Sequence, residues 1–140
     1  MLAYMDKSDH GKIANIQGDC LEKLDKIKDK SIQTIIIDPP YNISKDEWDK
    51  WDSTEEYTDW LVTIIEKLEK VLKDNGSFFL FHNDMEQISE IMMKIKSRTS
   101  FKYRQMITWN KRFVGSKKKG YLDGYIVCLL YTSDAADDSL

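Results

Sequence analysis

The sequence predicts an α/β fold, and three observations carry that prediction. Two short apolar runs, Ser31 to Ile37 and Ser77 to Phe81, are too short for core helices and rich in β-branched or aromatic residues. Two longer segments, Tyr57 to Leu72 and Ile88 to Ile95, repeat apolar residues every three or four positions, as one face of a helix does. Strand and helix signals then alternate along the chain, which is the pattern of a mostly parallel sheet with helices packed on it. At 140 residues there is room for one domain with a sizeable core.

Taken in order, Lys12 to Gln17 alternates weakly and ends at Gly18-Asp19, as a short strand followed by a turn would. Leu21, Leu24 and Ile27, spaced by three, place a short amphipathic helix over Leu21 to Lys28. Ser31 to Ile37 reads as a parallel strand buried on both faces. It delivers Asp38 at its carboxyl end, where open α/β sheets hold their ligands. Asn42 to Asp52 is polar around Trp48 and Trp51 and has no regular period, so it is expected to be a loop. Ser53-Thr54-Glu55-Glu56 is a capping box. The helix it opens carries Tyr57, Trp60, Leu61, Ile64, Ile65, Leu68, Val71 and Leu72 as its stripe, and Asp74-Asn75-Gly76 is expected to stop it. Ser77 to Phe81 follows as a second buried strand, and Ile88, Ile91, Met92 and Ile95 mark another helix. Phe101 to Trp109 reads as a strand with Tyr103, Gln105, Ile107 and Trp109 on one face. Lys111 to Gly120 is a basic, glycine-flanked loop, and no internal repeat is present.

Composition narrows the class. Hydrophobic content of 41% with 32% charged residues is ordinary for a globular domain. No apolar run reaches the roughly 18 residues of a membrane span, and the first residues lack the basic-then-apolar order of a signal peptide, so a cytoplasmic location is expected. Cys20 and Cys128, His10 and His82 have no metal-ligand spacing, and His82 reads as a strand-end residue. The net charge of -3 conceals an asymmetry. Lys94, Lys96, Arg98, Lys102, Arg104, Lys111, Arg112, Lys117, Lys118 and Lys119 occur with no acid among them, interleaved with Phe101, Tyr103, Trp109 and Phe113. Such a segment can follow a phosphate backbone; the plainer alternative is a solvated helix face and a polar loop.

Asp38-Pro39-Pro40-Tyr41 is the most informative motif. Proline fixes φ and removes an N–H, and the residue before a proline is driven out of the helical region. Asp38 and Pro39 are therefore held extended, and the Asp38 carboxylate can converge with backbone carbonyls on one donor. A planar amine with two N–H bonds suits such a nest, and Tyr41 offers a π-face on which a ring can stack. The motif reads as a clamp for an extruded amino-base. The plainer reading is a strand-ending turn with a half-buried aromatic.

With these residues in hand, the chain resembles the amino-methylating DNA methyltransferases, in the group whose catalytic motif precedes its cofactor motif. The resemblance covers about residues 12 to 126. It rests on Gly18-Asp19-Cys20, Ser31 to Ile37 running into Asp38-Pro39-Pro40-Tyr41-Asn42, Val71-Leu72-Lys73-Asp74-Asn75-Gly76, Ser77-Phe78-Phe79-Leu80-Phe81, and Ile107-Thr108-Trp109-Asn110-Lys111. It implies a Rossmann-like methyltransferase sheet and methylation of an exocyclic amine in DNA with S-adenosylmethionine as methyl donor. Asp at the first motif position resembles the adenine-N6 members, with cytosine N4 as the alternative. Asp38, Pro39, Pro40 and Tyr41 are implied as the catalytic residues: the Asp38 carboxylate and the Pro39 carbonyl accept from the amine, and Tyr41 stacks on the base. Asp19 and Cys20 are implied near the adenosine part of the cofactor. DNA is implied as partner through Lys94 to Lys119, in a restriction-modification setting and away from membranes.

One family feature is absent. The six glycines never occur as Gly-x-Gly, so the Phe-x-Gly-x-Gly cofactor loop is missing, and the sheet is expected to be incomplete. Residues 1–127 are accordingly expected to be the amino-terminal part of a catalytic domain, inactive alone, and 128–140 a non-native read-through tail. Three other readings compete. Methylation of RNA or of a protein glutamine amide is weakened because only 17 residues precede Gly18, too few for an upstream glycine loop. A non-catalytic nucleic-acid-binding module would use the basic segment alone. A nucleotide hydrolase would use Asp38 for magnesium, but no phosphate-cradling Gly-x-x-x-x-Gly-Lys-Ser/Thr loop exists.

Overall fold

The computed structural model of the chain describes residues 3–8, 11–110 and 125–133. An antiparallel hairpin comes first, β1 (Ala3–Ser8) with β2 (Gly11–Ile16), paired from Ala3 opposite Ile16 to Ser8 opposite Gly11. α1 (Cys20–Leu24) follows, shorter than the expected helix over Leu21 to Lys28. β3 (Ile32–Ile37), α2 (Thr54–Val71), β4 (Leu72–His82), α3 (Met85–Arg98), β5 (Lys102–Asn110) and β6 (Tyr125–Thr132) build the body of the fold.

The main sheet has the order β3-β4-β6-β5. Only β3 and β4 are parallel; β6 lies antiparallel to both β4 and β5, so the expectation of a mostly parallel sheet is corrected to a mixed one. The reason is local. A helix separates β3 from β4 and returns the chain for a parallel strand, whereas β5 and β6 pair directly with one another. Cys128 to Thr132 lie within β6, and Leu129 and Tyr131 are buried there; residues 134–140 and the basic loop Lys111 to Gly120 fall outside the described residues.

α2 and α3 cover one face of the sheet. Leu61, Val62, Ile65 and Leu68 of α2 and Ile88, Ile91 and Ile95 of α3 form one cluster with Ile35, Phe78, Leu80, Leu129 and Tyr131. Each such fully buried side chain contributes roughly 1.5–3 kcal/mol. Phe78, Phe101 and Tyr131 form a triangular aromatic cluster, with Phe78 stacked against Phe101 at 5.2 Å and against Tyr131 at 5.9 Å. The opposite face is less covered among the described residues: Ile36 on one edge strand is 65% exposed, and Ile107 and Trp109 on the other edge strand are exposed as well. β3 is therefore buried on one face, not on both as its apolar run predicts.

One further boundary and one register differ from expectation. α2 starts as predicted, with the Ser53 hydroxyl accepting from the Glu56 N–H at 3.1 Å, but it ends at Val71, and Asp74-Asn75-Gly76 lie within β4. Leu72 pairs with Ile32, and the next register pair is Thr34 with Ser77, so Lys73 to Gly76 are accommodated opposite Gln33 alone. Gln33 Nε2 donates to the Asn75 carbonyl at 2.8 Å and ties the excursion down. Gly76 is required there because a Cβ would come within 2.5 Å of the Leu72 side chain and 2.9 Å of the Lys73 carbonyl oxygen. The second difference is a register shift in β5 between Tyr103 and Gln105. It sets Tyr103 opposite Tyr131 on the helix-covered face and leaves Gln105, Ile107 and Trp109 on the other, so the four residues expected on one face are split. Ser53→Ala is expected to cost about 1 kcal/mol, read as a lowered urea midpoint at unchanged slope.

Candidate base-binding site

The carboxyl end of β3 delivers Asp38, as its run of isoleucines requires, and the following prolines carry the chain across the end of β4. Asp38, Pro39, Pro40, Tyr41, Asp49 and Asn83 line a cavity of about 360 Å³, with Ile43, Lys45 and Trp48 at its rim. A larger cavity of about 800 Å³ lies at the opposite end of the sheet, between Asp29, Lys30, Lys70 and Asp74, where the Lys30–Asp74 ion pair and other mixed charges meet no structured motif. Chemistry therefore selects the smaller cavity. Its volume suits a single planar ring system.

Three sets of bonds shape it. The Tyr41 hydroxyl donates to Asp38 Oδ1, which orients the carboxylate. The Tyr41 ring lies 5.0 Å from the His82 ring at the end of β4. Burial, followed by the hydrogen bond to Asp38 and its charge, holds the Tyr41 phenol above its usual range, so the phenol keeps its proton and acts as a donor.

Asp49 organises the loop after the motif. It is buried, and its carboxylate accepts from the backbone N–H of Asn42 at 2.8 Å, of Lys45 at 3.2 Å and of Ile43 at 3.3 Å. Asn42 and Ser44 adopt positive φ of 53° and 54°, which turns successive N–H groups inward to face the anion. The Asn42 side-chain oxygen accepts from Trp51 N at 3.1 Å and closes the loop onto the start of α2. The segment expected to be an irregular loop contains one short 3₁₀ turn, Glu47–Asp49, and is built around a buried carboxylate. Trp48 is left 60% exposed at the cavity rim.

The third set runs through the core. The Tyr57 hydroxyl lies 2.6 Å from the Pro40 carbonyl oxygen and 2.8 Å from His82 Nε2, while His82 Nδ1 accepts from the Asp84 N–H at 3.1 Å. Asp84 is the N-cap of α3. Burial lowers the His82 pKa from 6.5 to about 4 against the opposing charges of Asp84, Asp38 and Asp49, so the ring is neutral at pH 7. The unfolded chain takes up this proton below pH 6.5 and the folded chain only near pH 4, so this contribution to stability is whole above 6.5 and is lost as pH falls from 6.5 to 4. His82→Gln is expected to flatten the stability profile across that window in urea titrations.

The structure places Asp38, Pro39, Pro40 and Tyr41 together along this cavity. Asp19 and Cys20 stand apart from it: the Asp19 carboxylate caps α1 by accepting from Leu21 N at 2.8 Å, and neither residue lines the cavity. The basic segment is less uniform than its sequence suggests. Lys94 pairs with Asp59 and Glu90, both at 2.9 Å, and Arg98 pairs with Glu66 at 2.7 Å and Asp59 at 3.2 Å, so two of its cations hold α3 against α2. Asp49, Tyr57 and His82 are the site residues that sequence reasoning missed. The one available signal was polar: Asp49 interrupts a tryptophan-flanked stretch, and His82 ends an apolar strand beside the motif.

The sequence profile of the DNA methylase family of N6 and N4 amino-methyltransferases matches residues 32–137. The chain belongs to this family. It is 33% identical over 117 residues to the type II methyltransferase M1.MboII of Moraxella bovis, covering 83% of this chain and 44% of that protein. It is 33% identical over 123 residues to the DNA adenine methyltransferase YhdJ of Escherichia coli K12, covering 86% of this chain and 41% of that one. Among solved structures, the DNA modification methylase TTHA0409 of Thermus thermophilus complexed with S-adenosyl-L-methionine superposes with a TM-score of 0.69 at 15% identity, over 88% of this chain and 56% of that chain. The cytosine-N4-specific PvuII DNA methyltransferase superposes with a TM-score of 0.67 at 18% identity, over 82% and 47%. At these identities the structural likeness is one of fold. The chain thus spans about half the length of the relatives it matches, and its four-stranded sheet is the corresponding part of the methyltransferase fold.

Proposed function

We propose that this chain is the base-binding part of an S-adenosylmethionine-dependent DNA methyltransferase that modifies an exocyclic amine, adenine N6 in the first instance. The observation that carries the reading is the cavity at the end of β3, where an oriented carboxylate, two fixed prolines and an aromatic wall meet in a space sized for one base. Asp38 and Pro39 are the acceptors for the two amine N–H bonds, because the Pro40 carbonyl is already taken by Tyr57. Accepting hydrogen bonds from both N–H groups favours a tetrahedral nitrogen whose lone pair is no longer shared with the ring, which makes it a better nucleophile, and fixing the amine in place removes most of the entropic barrier. Tyr41 holds the plane of the base, and Trp48 and Ile43 at the rim limit water entry.

The cofactor supplies an activated methyl group on sulfur when bound. Of this chain's own residues, Asp19 and Cys20 at the start of α1 are those that would meet its adenosine part; neither lines the base cavity, the Asp19 carboxylate also caps α1, and no Gly-x-Gly is present. The adenine preference rests on Asp at the first motif position and on the adenine specificity in the name of YhdJ; the cytosine-N4 specificity of the PvuII enzyme keeps cytosine N4 as the alternative. DNA is the macromolecular partner, in a restriction-modification setting like that of the type II relatives. The exposed Lys96 and the cations of β5 and the following segment carry the phosphate contacts, while Lys94 and Arg98 stay committed to α2. A reading without catalysis, as a nucleic-acid-binding module, draws no support from the site, because a basic surface alone has no use for the oriented Asp38 carboxylate.

The test compares this chain alone with the enzyme at the full length of its relatives, each given DNA and S-adenosylmethionine carrying a labelled methyl group. Label is expected in DNA only with the full-length enzyme. A full-length enzyme that binds the cofactor and leaves DNA unlabelled contradicts the proposal.

A further inference from the structure

Proton accounting fixes the direction of the bonds between α3, α2 and the motif. His82 Nδ1 accepts the Asp84 N–H at 3.1 Å, so in the neutral ring the proton sits on Nε2. At 2.8 Å that Nε2–H donates to the Tyr57 oxygen. The single phenol proton is then left for the Pro40 carbonyl, 2.6 Å away. The reverse order fails: a phenol proton spent on Nε2 requires a ring with no proton at all, and it leaves two oxygens facing each other at 2.6 Å with nothing between them.

We propose that His82 is a positioning residue of the base-binding site, which in its Nε2–H form directs the Tyr57 hydroxyl to donate its hydrogen bond to the Pro40 carbonyl and so reserves Asp38 and Pro39 for the substrate amine. The functional half of this statement rests on the methyltransferase reading; the geometric half stands without it. The relay reaches the motif from the far side of the core. Asp84 starts α3, His82 ends β4, Tyr57 lies in the first turn of α2, and Pro40 follows β3, so one chain of bonds ties four elements to one carbonyl. Both relay side chains are fully buried. Tyr41 rests against the His82 ring at 5.0 Å, so the relay also sets the aromatic wall. Around His82 the facing groups are Tyr41, Tyr57 and Asp84, with Asp38 and Asp49 acting through their charges, and its low proton affinity among those acids keeps the relay in one direction at neutral pH.

The relay can be tested on the 140-residue chain by NMR, without turnover. In ¹⁵N-histidine-labelled protein at pH 7, long-range ¹H–¹⁵N spectra are expected to show His82 as the Nε2–H tautomer with an unprotonated, hydrogen-bonded Nδ1. Tyr57→Phe keeps the ring against Trp51 and Trp60 and removes only the hydroxyl. It is expected to move the backbone amide signals of Tyr41 and Asn42 while those of Ile91 and Ile95 stay in place. His82→Leu is expected to move the same two amides, and His82→Gln, which still offers one donor and one acceptor, to bring them back toward their original positions. An Nδ1–H tautomer in the unmodified chain overturns the proposal. So does a Tyr57→Phe chain whose Tyr41 and Asn42 signals are unmoved. If His82→Leu does not fold, these two measurements decide the matter without it. A chain that passes them but methylates nothing at full length refutes the methyltransferase reading and leaves the relay standing.

Discussion

Asp38→Ala in the full-length enzyme is expected to lower the rate of methyl transfer by at least about 10²–10³-fold, the loss seen when one group that stabilises developing charge is removed from a preorganised site. The carboxylate is the only charged acceptor in the motif, and Tyr41 already orients it. Without it the amine keeps one acceptor, Pro39, and its nitrogen lone pair stays conjugated with the ring. The fold should be unaffected, because Asp38 is exposed and belongs to no core cluster. Asp38→Asn separates charge from shape: it retains one oxygen acceptor and should fall between the parent and the alanine variant. Rates are to be measured under single turnover with saturating DNA, so that slow product release does not mask the chemical step.

Asp49→Ala is expected to destabilise the chain by about 3 kcal/mol, because it removes the shared acceptor of three backbone N–H groups from a buried position. Hydrogen bonds to a charged group contribute about 1.5–3 kcal/mol each, and partial rehydration of the loop keeps the total below their sum. Asn42 and Ser44 hold positive φ in a loop whose N–H groups Asp49 gathers inward, so the loop should relax when the carboxylate is gone. Urea denaturation followed by tryptophan fluorescence measures both effects, since Trp48 and Trp51 flank the site of change. Asp49→Asn keeps one side-chain oxygen and should lose about half as much. An alanine variant as stable as the parent would show that the loop has another anchor.

Much of this fold is legible in the sequence because it is locally encoded. α2 declares itself through a capping box and an apolar stripe, and β3 through a β-branched run that ends in two prolines. Asp38, Pro39, Pro40 and Tyr41 are contiguous, so their joint placement needs no long-range information. What escapes a sequence reading depends on pairing. Asp74-Asn75-Gly76 has turn chemistry wherever it occurs, but Leu72 finds Ile32 across the sheet and starts β4 earlier. The register shift in β5 is set by β6, and it alone decides that Tyr103 parts company with Gln105. The relay is harder still, since Pro40, Tyr57 and His82 lie far apart in sequence and meet only once the ends of β3 and β4 are aligned. The basic segment misleads for the opposite reason. Its charges are contiguous in sequence, but Lys94 and Arg98 face the acids of α2 in space.

In the proposed enzyme Asp38, Pro39 and Tyr41 hold a base by its amine for methylation. The most direct measurement is nucleoside mass spectrometry of DNA incubated with S-adenosylmethionine and the full-length enzyme, beside its Asp38→Ala variant. N6-methyladenine is expected from the parent and its loss from the variant. Equal methylation by both would contradict it, as would a methyl group on a ring carbon instead of an exocyclic amine.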